Sequence, residues 1–181
     1  HRSKIIGPSS LDLLEKLAYF YDEPLADISI ISTYEVSKIA SENVKALLSG
    51  DGSVEIFGGS EWHRSYNALN QRNSFWQKIT GTRFAVNPVE YYANAMEMGR
   101  FDQEILRSLL HNDLHSHIPS ASNWFYEQHV AKSSPVKTFQ LLDISCFMGE
   151  LVLTKIDRAS MANSLEVRVP VLDHKLVEYL L

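Results

Sequence analysis

Apolar residues recur at helical spacing through most of this chain. In Leu11–Tyr21 they lie three or four residues apart with polar residues between them, which predicts an amphipathic helix after the start signal Pro8-Ser9-Ser10. That helix should end at Asp22-Glu23-Pro24, because proline disfavours helical geometry in the residue before it. Leu25–Ile31 then predicts an apolar loop or a short extended segment, and Thr33–Asn43 predicts a second helix.

A strand pattern replaces the helical pattern at Val44–Leu48. These residues are apolar apart from one lysine and begin with a β-branched residue, so they predict a short buried strand. Ser49-Gly50-Asp51-Gly52 predicts a tight turn after it, and Glu55-Ile56-Phe57 predicts the entry to a helix. Glycine lets the backbone approach a phosphate closely, and N–H groups at a helix start carry partial positive charge, so this turn is a candidate ligand loop. A strand-to-helix turn with solvated Asp51 and Glu55 side chains explains the same residues equally well.

Helical spacing dominates the chain after Gly59, so the predicted class is a mainly α chain with one short parallel strand. The further predicted helices are Ser60–Arg72, two between Pro88 and Leu110, one ending at Lys132 and one from Pro135 through Val152. Their predicted N-terminal caps are Asp102, Ser122 or Asn123, and Ser133-Ser134. One strand cannot form a sheet alone, so its neighbouring strands are expected to lie mostly outside these residues.

Composition and charge narrow the class of partner. The 181 residues are 45% apolar and 22% charged, as in a soluble globular protein with one substantial core. The net charge of −5 argues against general affinity for nucleic acid or anionic lipid, and no apolar run approaches the roughly 20 residues that cross a bilayer. Cys146 is the single cysteine, so no intrachain disulfide forms. The thiol is expected in the core, and a reducing cytoplasm is the expected compartment.

Two groups of polar residues are candidate sites by residue type alone. His111, His115 and His117 lie close in sequence, but Ile118-Pro119 favours a loop and no HExxH pattern is present, so we predict a solvated connection and no metal site. The second grouping places five charges among apolar residues: Lys155, Asp157, Arg158, Glu166 and Arg168. Buried charges are tolerated only when they are paired. This grouping is therefore either a salt-bridged lattice that positions a loop or a direct ligand contact.

Three runs of sequence, in order along the chain, resemble one enzyme family. Leu48–Gly59 reads Leu-Ser-Gly-Asp-Gly-Ser-Val-Glu-Ile-Phe-Gly-Gly, and Lys155–His174 contains Lys-Ile-Asp-Arg-Ala-Ser-Met-Ala-Asn-Ser-Leu-Glu-Val-Arg-Val-Pro. Together with Tyr21–Asp27, these runs are similar to the synthetase domain of glutamine-dependent asparagine synthetases. Ser60–Ser145 carries little of the family signature.

By this resemblance, residues 1–181 form part of an asparagine synthase domain with an α/β ATP-pyrophosphatase-type fold, which is adenine nucleotide alpha hydrolase-like. Family members use ATP and Mg²⁺ to adenylate a carboxylate, usually the side chain of aspartate. Ammonia from glutamine then displaces AMP to give asparagine. The implied partners are therefore small molecules: ATP, aspartate or a related acid, and ammonia.

The resemblance also implies roles for individual residues. Asp51 matches the acidic position that the family uses in forming or breaking down the acyl-adenylate, where a carboxylate orients or deprotonates ammonium. The implied ATP-site residues are Ser49, Gly50, Gly52 and Lys155, the first two through backbone N–H groups. The remaining candidates are Asp22, Asp27 and Glu55 on the substrate side, and Arg158 as a brace for the loop.

The chain departs from the family pattern in two ways. Val54 stands where relatives place an aspartate that helps hold magnesium on the pyrophosphate, and valine has no oxygen to offer. The pyrophosphate loop Ser-Gly-Gly-x-Asp-Ser, the N-terminal glutaminase domain with its terminal cysteine, and the C-terminal end of the domain are not among these residues. We therefore expect residues 1–181 alone neither to hydrolyse glutamine nor to make asparagine. We also expect self-association through surface that the missing strands would cover.

Two other functions are open at this point. The same chemistry on another carboxylate, such as a sugar acid or a peptide, fits the residues as well, because the side chains that select the substrate lie partly elsewhere. A binding or scaffold protein that kept the fold and lost turnover is the third possibility, and Val54 is the residue that motivates it.

Overall fold

The computed structural model describes residues 3, 5, 13–25, 27–81, 86–96, 103–118, 124–130 and 133–181, and it is mostly helical. The α-helices are α1 (Leu14–Tyr21), α2 (Ile30–Ser41), α3 (Ser53–Ile56), α4 (Glu61–Thr80), α5 (Pro88–Ala95), α6 (Gln103–Leu109), α7 (Trp124–Glu127), α8 (Pro135–Leu142), α9 (Thr154–Met161) and α10 (His174–Leu180). Short 3-10 helices cover Asn112–His117 and Pro170–Leu172, and a π-helical segment covers Asp143–Leu153. Within the described ranges, none of the helices combines the length and the hydropathy that a bilayer crossing requires.

Two short parallel strands form the sheet of the described residues. β1 (Ala46–Leu48) pairs with β2 (Glu166–Arg168), with Leu47 opposite Val167 in the middle of the register. The prediction of one strand is therefore wrong, because a partner for β1 lies within the chain. Glu-Val-Arg contains no apolar run, so its strand conformation follows from pairing and not from its own pattern. The predicted burial of β1 is also wrong, since Leu48 is 73% exposed.

The ends of several helices follow the sequence signals. α1 ends at Tyr21, as predicted. Asn87 and Ser134 accept backbone N–H hydrogen bonds as the N-terminal caps of α5 and α8, and the cap at Ser134 was predicted. α4 continues to Thr80, beyond the predicted end at Arg72. The predicted start and cap residues that lie outside the described residues are Pro8-Ser9-Ser10, Asp102, Ser122 and Asn123. The helix predicted to end at Lys132 already ends at Glu127, so that prediction is too long.

α2 begins at Ile30, three residues before its predicted start. The cause is a turn in which the Asp27 carboxylate accepts the N–H of Ser29 at 2.7 Å. The Ser29 carbonyl then accepts the N–H of Thr33 at 2.9 Å, which adds the first helical turn. The loop or extended segment predicted for Leu25–Ile31 is thus wrong in its last two residues.

The chain divides into two compact units, of which the first comprises His1–Ile56 and Ile144–Leu180. Its core residues are Leu17, Tyr21, Tyr34 and Ala159, with Leu13, Leu25, Ile30, Ile31 and Ala162 packed around them. Cys146 is buried, as predicted. The two strands and helices α1, α2 and α9 all belong to this unit.

The second unit comprises Phe57–Asp143 and Leu181, and its core is aromatic. The ring centroids of Tyr66 and Phe139 are 4.9 Å apart, and those of Tyr92 and Phe139 are 6.0 Å apart. Such ring pairs add stabilisation beyond the area that they bury.

A carboxyl group is enclosed by this aromatic core. Asp143 is fully buried, and it accepts the hydroxyl of Tyr92 at 2.8 Å. The same carboxyl pairs with Nε2 of His63 at 2.9 Å and lies 3.4 Å from Nε1 of Trp62. Its two oxygens are therefore satisfied by side chains of α4 and α5.

Candidate functional site

A cleft of about 270 Å³ opens in the first unit beside the end of β1. Four elements contribute to it: α2, β1 with the turn that follows, β2 and the start of α9. Its described polar lining residues are Ser32, Thr33, Ser37, Ser49, Asp51 and Lys155. The cleft thus joins Asp51 and Lys155, which are far apart in sequence and which the family resemblance assigns to the reaction.

The turn after β1 holds Ser49 and Asp51 on one wall of the cleft. The Ser49 N–H donates to the Arg168 carbonyl at 2.8 Å, which continues the ladder between β1 and β2. The Ser49 hydroxyl donates to the Asp51 carboxylate and accepts the Asp51 N–H at 3.4 Å. The expectation that the Ser49 N–H is available to a nucleotide is therefore wrong, because the sheet uses that donor. Ser49 is nevertheless among the residues that line the cleft.

Gly52 sets the shape of this turn. Its φ is +83°, and a Cβ on it would lie 2.6 Å from Cδ2 of Leu172. Glycine alone tolerates a left-handed conformation together with so close a neighbour. Gly50 differs, since it is exposed and nothing lies within 4 Å of the place a Cβ would take. Ser53 then begins α3, and its hydroxyl donates to the Gly50 carbonyl at 2.6 Å.

Lys155 lies at the start of α9 and is paired with the loop before α2. Its ammonium group is 2.8 Å from Oδ2 of Asp27 and donates to the Ser29 hydroxyl at 2.8 Å. The side chains of Lys155 and Asp27 are 14% and 17% exposed. The Tyr21 hydroxyl donates to the Lys155 carbonyl at 2.9 Å. Asp27 and Lys155, predicted as separate substrate and nucleotide residues, therefore form one cluster.

Two pKa values in this cluster are shifted. Burial raises the pKa of Asp27, but hydrogen bonds from Lys155 and Ser29, with the charge of Lys155, lower it by more, so this pKa lies below its ordinary value. Burial, and after it the charge of Asp27, raises the pKa of Tyr21 to about 12. At neutral pH the cluster therefore contains a carboxylate and a neutral phenol.

The shifted pKa of Tyr21 predicts a loss of stability in alkaline solution. Because the folded-state pKa is raised from 10.0 to about 12, the contribution of the phenol to the unfolding free energy is complete below pH 10.0 and is lost as the pH rises towards 12. We expect Tyr21→Phe to lack this component, of which about 1 kcal/mol should be lost between about pH 8 and about pH 11. The measurement is urea unfolding of both proteins at about pH 8 and about pH 11. An equal decline in the two proteins would contradict the role given to Tyr21.

Several residues that the resemblance singled out are not among the described lining residues of the cleft: Asp22, Asp27, Gly50, Gly52, Val54, Glu55 and Arg158. Asp22 is exposed and ends α1 with a left-handed φ of 59°. Glu55 is half-buried within α3. Val54 is 51% exposed on the same short helix. Asp22 caps the C-terminal end of α1, where the sequence predicted that the helix ends.

The grouping of five charges is not a single buried lattice. Its exposed members are Asp157, Arg158, Glu166 and Arg168. Glu166 and Arg168 pair with each other at 2.8 Å on the surface. They can do so because successive side chains of a strand point to opposite faces, so residues two positions apart lie on the same face. Val167 between them lines the cleft. Lys155 is the member of the grouping that is largely buried.

Hydroxyl groups of α2 also line the cleft, and they were not predicted as site residues. Ser32, Thr33 and Ser37 stand beside Val36 on one face of the helix. The signal was present in the sequence as hydroxyl residues at helical spacing. It was missed because α2 was predicted to begin at Thr33, which places Ser32 outside the helix.

The histidine grouping lies in the second unit, on and beside a 3-10 helix. The side chains of His111 and Asp113 are 76% and 88% exposed, with Nδ1 and Oδ2 3.4 Å apart. The predicted solvated connection is confirmed by this exposure. Because its carboxyl group is exposed and lies in the second unit, substitution of Asp113 is a suitable control for substitutions of other carboxyl groups.

Known proteins resemble this chain over nearly its whole length. The family described as Asparagine synthase matches residues 1–181. Two Bacillus subtilis (strain 168) proteins named Asparagine synthetase (glutamine-hydrolyzing) 1 and 3 are 31% and 27% identical over 94% and 99% of the chain. A Gibberella zeae protein named Amidase chry2 is 22% identical over 99% of it. The chain spans 30%, 27% and 32% of the lengths of these three relatives, respectively. No solved structure matches it.

Proposed function

Because the chain belongs to the asparagine synthase family, we propose that it forms part of an ATP-dependent amidotransferase. In the proposed reaction, a carboxylate oxygen attacks the α-phosphorus of ATP and pyrophosphate leaves. The nitrogen of ammonia then attacks the acyl carbon, and AMP leaves as the amide forms. The proposed acid is aspartate, the proposed product is asparagine, and glutamine is the proposed source of ammonia.

One observation carries the proposal: the cleft combines a carboxylate, an ammonium group and several hydroxyl groups. An ammonium donor suits phosphate oxygens, so Lys155 fits part of a bound ATP. The hydroxyls of Ser32 and Thr33 donate to the Ser29 carbonyl, and that of Ser37 donates to the Thr33 carbonyl, so these three side chains present only acceptor oxygens to the cleft. Mg²⁺ fits less well, since Asp51 is the one carboxylate among the described lining residues and Val54 has no oxygen. When bound with ATP, the metal neutralises phosphate charge.

Asp51 is the group proposed to act on ammonia. Ammonium is not nucleophilic, so a carboxylate that accepts one of its protons produces the neutral nucleophile beside the acyl carbon. The Ser49 hydroxyl, which donates to this carboxylate, orients it within the turn. Lys155 is proposed to donate to an oxygen of the phosphate groups, where it offsets negative charge.

The proposal is tested by conversion of ATP in the full-length protein with a panel of acids. AMP and pyrophosphate formed with aspartate, together with asparagine, would support it. The same products with a sugar acid or a peptide acid would favour the related activity. No AMP with any acid would overturn the proposal and leave a binding or scaffold role. Residues 1–181 alone are expected to give no turnover.

Asp51→Asn is expected to lower ammonia-dependent amide formation about 100-fold. Asparagine preserves the shape of the side chain and its capacity to accept from Ser49, but it cannot take a proton from ammonium. Amide formation with added ammonium chloride measures the effect. The matched control is Asp113→Asn, which removes an exposed carboxyl group of the second unit and should leave the rate unchanged. Equal rates for the two variants would contradict the role of Asp51.

A further inference from the structure

The ammonium group of Lys155 is held on one side before any ligand is present. Its Nζ lies 2.8 Å from Oδ2 of Asp27 and 2.8 Å from Oγ of Ser29. Lysine has a flexible four-carbon stem, so an unpaired lysine samples many positions. Two hydrogen bonds restrict this one to a single place.

The group that holds Lys155 is itself rigid. Oδ1 of Asp27 accepts the N–H of Ser29 at 2.7 Å and its hydroxyl at 2.6 Å, so both carboxylate oxygens are engaged. Ser29 is fixed in turn, because its carbonyl accepts the N–H of Thr33. The backbone of Lys155 is anchored by the hydroxyl of Tyr21. The ion pair is therefore fixed from both of its ends.

Counting donors leaves one N–H of Lys155 for a ligand. An ammonium group has three N–H donors and no acceptor. Asp27 and Ser29 accept two of them, and among the described residues these are its hydrogen-bond partners. Because Lys155 lines the cleft, the third N–H is the donor it has for a ligand there.

We propose that Asp27 is a positioning residue, which holds Lys155 so that a single N–H meets one oxygen of an anionic ligand in the cleft. The inference rests on the proposed function, because it takes that oxygen to belong to a phosphate or a carboxylate. It replaces the substrate-side role that the sequence predicted for Asp27. Both oxygens of Asp27 accept from donors of the protein itself, and Asp27 is not among the described lining residues.

Chemical acylation of lysine tests the positioning without any turnover. In the full-length protein, acetylation of Lys155 by acetic anhydride is measured by mass spectrometry relative to the exposed Lys175. Asp27→Asn is expected to raise this ratio about tenfold, because the ammonium group loses its anionic partner. Asp113→Asn, the control, should leave it unchanged. Ser29→Ala removes the other acceptor and should raise the ratio several-fold. This second variant tests the inference even if Asp27→Asn does not fold. Unchanged ratios would overturn the inference.

A double-mutant cycle of Asp27 and Lys155 tests whether the positioning of Lys155 affects the proposed reaction. Asp27→Asn is expected to lower kcat/KM for ATP about tenfold, because a misplaced Lys155 loses its contact in the transition state. Lys155→Met should lower it at least as much, and adding Asp27→Asn to Lys155→Met should change nothing further. Additive losses would overturn the inference. A wild-type protein that consumes no ATP would instead overturn the proposed function, while the acetylation ratios still decide the role of Asp27.

Discussion

Replacement of Asp143 by alanine is expected to destabilise the second unit by about 3–5 kcal/mol. The carboxyl group is fully buried and accepts the Tyr92 hydroxyl at 2.8 Å. It also pairs with Nε2 of His63 at 2.9 Å. Alanine would remove the acceptor that both groups use, and a buried polar group that loses its partner costs about 1–3 kcal/mol.

Among the described residues, Asp143 is the one hydrogen-bond partner of the His63 ring. Nδ1 of the same ring is buried and has no hydrogen-bond partner among the described residues. The ring is also enclosed, with its centroid 5.1 Å from that of Phe139 and Nδ1 3.1 Å from the place of a Cβ on Gly58. Loss of the Asp143 carboxyl group would leave both nitrogens of this buried ring unpaired, which is costly for a buried polar group.

Hydrogen exchange measured by mass spectrometry localises this effect in the full-length protein. Asp143→Ala should accelerate exchange in α4, α5 and α8, and it should lower the urea midpoint of the second unit. Tyr92→Phe, which removes one donor, is expected to cost about 1–2 kcal/mol. Asp113→Ala is the control and should change stability by less than about 0.5 kcal/mol, because that side chain is 88% exposed. Equal stabilities of Asp143→Ala and Asp113→Ala would contradict the buried network.

Replacement of Gly52 by alanine is expected to destabilise the first unit by about 2–5 kcal/mol. The φ of +83° is a left-handed conformation that side chains with a Cβ rarely adopt. The added Cβ would also lie 2.6 Å from Cδ2 and 2.8 Å from Cγ of Leu172, so the leucine or the turn must move. Because Asp51 precedes Gly52 in the turn, the proposed reaction should slow as well.

Two glycines of the same chain separate the conformational cost from the steric cost. Gly81 has a φ of +72° and nothing within 4 Å of its Cβ position, so Gly81→Ala should show the conformational part, about 1–2 kcal/mol. Gly50→Ala meets neither obstacle and should be nearly neutral. Adding Leu172→Ala to Gly52→Ala should recover the steric part but not the conformational part. Urea unfolding measures all four variants, and equal losses for Gly52→Ala and Gly81→Ala would show that Leu172 imposes no steric cost.

Local patterns predicted much of the helical structure. The end of α1 at Tyr21 and the cap of α8 at Ser134 depend on residues a few positions apart, which is the range over which sequence signals act. β2 was missed for the opposite reason. Glu-Val-Arg has one apolar residue, and it becomes a strand because β1, far earlier in the chain, supplies its hydrogen bonds.

The sequence predicted individual residues of the candidate site but not which of them lie together in the fold. Asp51 and Lys155 were identified by their place in family-like runs, and the cleft joins them. Asp27 was identified too, as a substrate-side residue, and the structure pairs it with Lys155. Asp143 and His63 carry no local signal, since 80 positions separate them.

The sequence by itself determined the family, the position of the turn after β1 and most of the helices, because each depends on side chains that are close along the chain. Only the tertiary structure decided that β2 pairs with β1, that Asp27 faces Lys155, and that one face of α2 lines the cleft. Ion pairs and sheet hydrogen bonds join residues that come together only when the chain folds, and no local pattern contains that information.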